Sequence, residues 1–248
     1  MSPRFPSSWS RSALVERDSL FIDLKQLVNQ SKLVTTMQIN WNGLGSFTIV
    51  TKPAQAEVTL VTNPFTHSEL KFKSVEASLV VQTHQGSDTN NLGAVLPERA
   101  QAGKKIFYIP HAGEYEVQGV FVTGIHAPKK DGSIHTIYRF DAEGMRVGFL
   151  GALDRSLTTL EVEGLGPIDI LIVPAGGQDV LTASQAAEAV SLVEPRLVIA
   201  AYVDEGGYGS VEALKRELGC QSEEVSKLKI TRASLPEEDM KMVVFKTS

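Results

Sequence analysis

A single cysteine, Cys220, occurs in 248 residues, so no intrachain disulfide can form and a reducing, cytoplasmic setting is expected. Cys220 follows Gly219 near an expected helix end and reads as an inert thiol. No run of about 18 apolar residues is present, so no membrane-spanning helix is expected. Positive charge is not in excess: 24 basic and 29 acidic side chains leave a formal net charge of -5. That balance gives no support to a general nucleic-acid-binding surface. Phosphate-binding loops are also wanting. Gly43-Leu44-Gly45 lacks the third glycine and the following helix of a dinucleotide loop. Gly206-Gly207-Tyr208-Gly209 precedes an expected helix whose N-terminus could receive an anion, but no lysine follows in P-loop spacing, so it reads as a flexible loop. Ser156 and Ser210 lack a G-x-S-x-G setting for a nucleophile. Asp154 and Arg155 read as a loop ion pair or as solvated charges.

The chain is 42% hydrophobic and 21% charged, values ordinary for a globular protein of this length. Its first fifteen residues are Ser-rich and carry Arg4 and Arg11 without acids, weakly like a transit peptide. Pro3 and Pro6 break any amphipathic helix there, so a disordered tail is expected. Ser19 can cap a short helix to Gln30 with Leu20, Leu24, Leu27 and Val28 on one face. Residues 1–35 are therefore read as a tail and short helix, and 36–248 as one domain with no internal linker.

Short β runs follow, rich in β-branched and aromatic residues and separated by Gly and Pro signals. They are expected over 37–41, 47–51, 57–61, 77–82, 105–109, 115–123, 136–140 and 146–150. A loop with a short helix is expected over 84–103. Asn42-Gly43-Leu44-Gly45 and Asp141-Ala142-Glu143-Gly144 read as turns. The second half alternates. Strands are expected over 168–173, 196–202, 227–231 and 241–246. Thr182 and Gln185 form a capping box for a helix with Ala183, Ala187, Val190 and Val193 on one face. Ser210 caps another helix carrying Val211, Leu214 and Leu218, stopped by Gly219. Strands with helices between and after them imply a layered α/β fold.

The segment Thr83-His84-Gln85-Gly86-Ser87-Asp88-Thr89 has the frame T-H-x-H-x-D-H of a metal-binding loop at a strand end. Only His84 and Asp88 remain of its ligands. Gly86 and Thr89 stand where two further imidazoles would be. On local chemistry alone, Asp88 reads as a cap on backbone N–H groups and His84 as a hydrogen-bonding loop residue. Tyr202 reads as a strand-end aromatic with a wet hydroxyl. His67 and His111 sit in polar loops and are assigned no role.

Several ordered segments together resemble the metallo-β-lactamase superfamily, in particular its branch of uncharacterised metal-dependent hydrolases with lactonase-like relatives. They are Ile39-Asn40-Trp41-Asn42-Gly43-Leu44-Gly45-Ser46-Phe47, Leu60-Val61-Thr62-Asn63-Pro64-Phe65 and the His84 loop. Then come Gly113-Glu114-Tyr115-Glu116-Val117-Gln118-Gly119-Val120 with Gly124-Ile125, Phe149-Leu150-Gly151-Ala152-Leu153, Ile172-Val173-Pro174-Ala175-Gly176-Gly177 and Glu194-Pro195-Arg196-Leu197-Val198-Ile199. The resemblance implies a four-layer αββα sandwich over about residues 36–246.

It also implies two divalent cations held by His and Asp ligands. Here Leu44 replaces the histidine of a G-H pair, Asn63 the aspartate of D-P-F and Ala152 the bridging aspartate. Tyr202 falls near the place of the last histidine, and neither His126 nor His135 aligns cleanly with the remaining ligand. Glycine and alanine supply no donor, and zinc needs about four. Losing carboxylates is also self-consistent, because without dications buried like charges repel. A non-catalytic binding or assembly module is therefore expected, with no cofactor. Its partner is a protein or a second copy, and no membrane. A small-molecule pocket around His84, Asp88, Asn63, Tyr202 and Asp204 is a further expectation. The alternative is a hydrolase of a small phosphoester or lactone, with zinc or another divalent metal on His84, Asp88 and His126.

Overall fold

The computed structural model describes residues 35–53, 56–98 and 105–246. The tail and the helix expected over 19–30 lie outside these residues, as does the end of the 84–103 segment.

One mixed sheet has the order β15-β1-β2-β3-β5-β7. Its strands are β1 (Met37–Gly43), β2 (Ser46–Thr51), β3 (Val58–Thr62), β5 (Leu79–Val81), β7 (Phe107–Ile109) and β15 (Leu228–Ile230). Strands β4 (Val75–Ala77) and β6 (Val95–Pro97) form a separate two-stranded ribbon. The second sheet has the order β14-β16-β13-β12-β11-β10-β9-β8. It comprises β8 (Gly113–Val117), β9 (Val120–His126), β10 (Thr136–Ala142), β11 (Met145–Phe149), β12 (Ile170–Pro174), β13 (Leu197–Ala201), β14 (Gln221–Val225) and β16 (Lys241–Phe245).

The two sheets share a core. Phe47 of β2 meets Phe245 of β16 edge-on at 6.0 Å, and Phe140 and Phe149 stack within the same cluster. A second core lies on the other side of the eight-stranded sheet, under α1 (Thr159–Leu165), α2 (Ala183–Val193) and α3 (Val211–Leu218). Parallel strands β12 and β13 are buried throughout and read ILIVP and LVIAA. Continuous apolar runs of this kind are what two-sided burial demands. The expected α/β sandwich is thus present. No described helix is long and apolar enough to cross a membrane.

Three local expectations change. Residues 115–123 form a hairpin instead of one strand, because Gln118 and Gly119 both take positive φ and reverse the chain between β8 and β9. In α2 the buried side chains are Ala186, Ala189, Val190 and Val193, so the inner face is rotated from the expected one. Arg155 pairs with Glu161 at 2.6 Å, while Asp154 accepts from the Lys130 backbone. Glu161 belongs to a capping box with Thr158 that starts α1, a helix too short for its periodicity to be read from sequence.

Candidate functional site

Strand ends from both sheets meet at one place. Strand β3 delivers Asn63, β5 leads into Thr83 and His84, and β13 delivers Tyr202. The turn between β1 and β2 reaches over to them, with Tyr202 donating its backbone N–H to the Leu44 carbonyl at 3.1 Å. Leu44, Asn63 and Tyr202 all have positive φ, a geometry that re-aims the chain at the end of a strand. Gly45 is required opposite Tyr202: a Cβ there would lie 2.3 Å from the ring. Backbone pairing of Thr136 with Thr83 (2.8 Å) ties in the start of β10.

The side chains at this junction are bonded to one another. Asn63 Oδ1 accepts from the Thr83 backbone N–H at 2.9 Å, and Asn63 Nδ2 donates to Thr83 Oγ1 at 2.9 Å. Thr83 Oγ1 lies 2.9 Å from His84 Nδ1, and His84 Nε2 lies 3.1 Å from Asp88 Oδ1. The Tyr202 hydroxyl donates to Asp88 Oδ2 at 2.8 Å. An ionised carboxylate only accepts, so Nε2 donates to Asp88; in the neutral imidazole Nδ1 then accepts from Thr83. The order Thr–His–Asp looks like a nucleophile relay, but Thr83 is only 1% exposed, so no substrate can approach its hydroxyl.

Electrostatics follow the bonding. Burial raises the Asp88 pKa, but the His84 hydrogen bond, the His84 charge when that ring is protonated, and the Tyr202 hydroxyl outweigh it and leave the carboxyl below its ordinary value. Burial and the facing Asp88 charge push Tyr202 well above the usual phenol range, so its hydroxyl remains protonated. Its ring stands edge-on to Tyr208 at 5.1 Å. The wet strand-end hydroxyl expected for Tyr202 is therefore a buried donor. Asp88 binds the His84 and Tyr202 side chains first, and its own backbone N–H contributes less.

The loop is set by Thr89. Its hydroxyl lies 2.7 Å from the His84 carbonyl and 3.1 Å from that of Gly86, while Gln82 Nε2 donates to Thr89 at 3.1 Å. Gln82 is held in turn by the Tyr108 hydroxyl, and its carbonyl accepts from Tyr138 at 3.0 Å. Gly86 lies against the His84–Asp88 pair, where a Cβ would fall 2.6 Å from Asp88 Oδ1 and 3.1 Å from His84 Nε2.

Asp204 does other work: its carboxylate accepts from Val211 N at 3.0 Å at the start of α3. The imidazole beside His84 is His135, with ring centroids 5.7 Å apart, whereas His126 is exposed at the end of β9. His135 is fully buried. Its Nδ1 donates to the Ala127 carbonyl at 3.2 Å, and its Nε2 has no hydrogen-bond partner. Burial, then the facing His84, lower its pKa to about 3. Only the tertiary pairing of β9 with β10 singles it out from His126, so no local signal identifies it. Among the described residues, no three His, Cys, Asp or Glu side chains converge as metal ligands, and His84, Asp88 and His126 accordingly do not form such a set.

The positions in question coincide with a known frame. Residues 38–202 match the beta-lactamase superfamily domain. A proposed Zn-dependent hydrolase of the metallo-beta-lactamase superfamily from Thermotoga maritima is 26% identical, over 84% of this chain and 98% of that one, with a TM-score of 0.69. A metallo hydrolase from Ignicoccus hospitalis shares the fold at 19% identity and a TM-score of 0.53, over 75% of this chain and 91% of that one. A UPF0173 protein from Pyrococcus abyssi is 38% identical over 53 residues, or 21% of this chain and a quarter (25%) of that relative's length. With its two facing sheets, its helical layer and its strand ends converging on the His84 loop, the chain belongs to the beta-lactamase superfamily.

Proposed function

We propose that residues 36–248 form a single metallo-β-lactamase-type domain that works without the superfamily's two-metal chemistry, as a binding or assembly module. The observation that carries this reading is the mutual pairing of the two surviving ligand-type side chains. His84 Nε2 is used on Asp88 Oδ1 and Asp88 Oδ2 on the Tyr202 hydroxyl, so neither presents a free donor set. Zinc takes about four donors at ~2.0–2.3 Å, and catalytic sites draw at least three from protein. Leu44, Asn63, Thr89, Ala152 and Tyr202 stand where the resemblance expects ligands or their neighbours, and each is at most 2% exposed. Two of them are apolar, and the polar ones are hydrogen-bonded into the junction. The residues present do not fit a pair of cations. Cys220 as sole cysteine supports a cytoplasmic setting.

The deciding experiment is zinc, manganese and iron analysis of protein purified without chelators, alongside hydrolysis assays on a phosphodiester and a lactone. The expected result is less than about 0.1 metal per chain and no turnover, because the superfamily's hydrolysis needs a Lewis acid. Stoichiometric metal with turnover overturns the reading.

A second reading, a metal-dependent hydrolase with an atypical site, has two observations in its favour. One is the 26% identity to a proposed Zn-dependent hydrolase across most of both chains. The other is the bare, buried Nε2 of His135 beside His84. The same metal analysis separates the two.

A further inference from the structure

A cleft of about 310 Å³ opens beside the junction, lined by Trp41, Gly43, Glu69, Lys71, Lys73 and Glu205 among others. Its size is at the small end of known ligand sites, which run from about 300 Å³ upward.

The wall that bears the lysines is held firmly. Lys71-Phe72-Lys73 alternates: Phe72 is buried, edge-on to Phe65 at 5.5 Å, and the two lysines face outward. In an extended chain, residues two apart share a side, so one buried aromatic anchors two ammonium groups at the cleft. Neither lysine forms an ion pair with another described residue.

Carboxylates line the cleft as well: Glu69, two residues before Lys71, and Glu205. Glu205 is partly buried, and burial followed by the charge of Asp204 raises its pKa. A Cβ on Gly43 would meet the Phe65 ring at 3.0 Å and Glu205 Oε2 at 3.6 Å. Absence of a side chain at position 43 therefore leaves the carboxylate open to the cleft. The Trp41 indole is fixed by its Nε1, which donates to the Leu44 carbonyl at 2.9 Å. That carbonyl also receives the Tyr202 backbone N–H, so the cleft and the closed junction share a wall. An aromatic face beside a carboxylate suits an ammonium group, and paired lysines suit a carboxylate.

We propose that this cleft binds a small zwitterion of amino-acid size, its carboxylate on Lys71 and Lys73 and its ammonium between Trp41 and Glu205. The proposal deepens the binding reading above and rests on it. The ligand site then lies in the cleft next to the partly buried histidine–aspartate pair.

The test uses the full chain with Trp9→Phe, which leaves Trp41 as the only indole. Its fluorescence is titrated with the standard L-α-amino acids and glycine betaine. Acetate and methylammonium serve as half-ligands. At least one zwitterion is expected to give a saturable response, with both half-ligands weaker by about tenfold or more. The exposed-site change Lys71→Ala/Lys73→Ala is expected to weaken binding by a similar factor. Glu205→Gln is expected to remove the preference over acetate. No response to any zwitterion, equal binding of acetate, or binding untouched by the double lysine change overturns the proposal. Those failures leave metal content unaffected, so the loss of this site and the loss of the non-catalytic reading are distinguishable.

Discussion

The Tyr202 hydroxyl donates a 2.8 Å hydrogen bond to Asp88 Oδ2 from a side chain with no exposed surface. A phenol thus falls near the place where the resemblance expects a metal-binding imidazole, and its proton faces the carboxylate. Tyr202→Phe removes the hydroxyl, and with it the donor to Asp88 and a contact with Asn63. Leaving a buried acceptor unpaired costs about 1–3 kcal/mol, and Asp88 is only partly buried, so urea denaturation is expected to show a loss at the low end of that range with an unchanged slope. The pH response fixes the cause. Asp88 has a depressed folded-state pKa, so its contribution is present above the unfolded value of 3.8 and is lost as pH falls through the folded one. Without the tyrosine, Asp88 moves upward towards 3.8, so the acid loss still begins near 3.8 but is smaller and is complete at a higher pH. An unchanged acid limb would show that the hydrogen bond is not made in solution.

His135 contributes a second acid limb. Its pKa is lowered from 6.5 to about 3 by burial, then by the facing His84. Between these values the unfolded chain takes up a proton that the folded chain refuses, so stability falls as pH drops from about 6.5 towards 3. The expected span is on the order of a few kcal/mol, given ~1.4 kcal/mol per pH unit per proton. His135→Gln should flatten this limb while leaving the Asp88 limb at lower pH in place. Unfolding midpoints measured from pH 8 to about 2 on both chains give the comparison. Parallel curves would refute the buried neutral histidine.

Much of this site was legible in the sequence. His84, Asp88, Asn63 and Tyr202 do meet in one hydrogen-bonded chain, because the ends of β3, β5 and β13 carry them to the same place. The bonding among them was not legible. Nothing local to Asp88 and Tyr202, 114 positions apart, tells that one accepts from the other. Thr83 and Thr89 were missed for a related reason: threonine hydroxyls at strand ends are common, and only tertiary neighbours decide which are structural. Asp204 was grouped with the site by its closeness to Tyr202 in sequence, whereas its positive φ and the Val211 N–H turn it to the start of α3. The strand series survived translation where apolar runs were continuous, as in β12 and β13. It failed at β14, whose Gln221-Ser222-Glu223-Glu224-Val225 has no apolar pattern and is held by its backbone pairing with β16.

Asn63 is a sensitive position, since it is wholly buried and uses both ends of its amide on Thr83. Asn63→Asp replaces the donating amide nitrogen with an oxygen and places a carboxyl near Asp88 without a cation. Burial and the like charge raise the new group's pKa. A raised carboxyl stays protonated when folded, so stability is lost as pH rises through the unfolded value of about 3.9. The variant is expected to be several kcal/mol less stable than the parent at neutral pH, the scale for a buried unpaired charge, and to approach it below about pH 4. Equal stability at pH 7 would mean that a cation or water compensates the charge, and would favour the metal-dependent reading.

Gly86 tests whether the metal frame can be refilled one ligand at a time. A Cβ at this position would lie 2.6 Å from Asp88 Oδ1 and 3.1 Å from His84 Nε2. An imidazole there must therefore displace the His84–Asp88 pair before it can bind anything. Gly86→His is expected to lower stability by about 1–3 kcal/mol, the usual cost of overpacking, and to hold less than about 0.1 zinc per chain, since two or three donors in a strained loop fall short of a zinc site. Thr89→His, Ala152→Asp and Tyr202→His add the other missing donors, but the first and last each break a bond that now holds the loop together: Thr89 to the His84 carbonyl and Tyr202 to Asp88. The four changes together are expected to bind zinc more tightly than any of them alone, because donors act only as a complete set. Zinc titration with a fluorescent competitor measures this directly. Tight zinc binding by the parent chain, or by Gly86→His alone, would show that the junction is open to metal and that the internal pairing is only its resting arrangement.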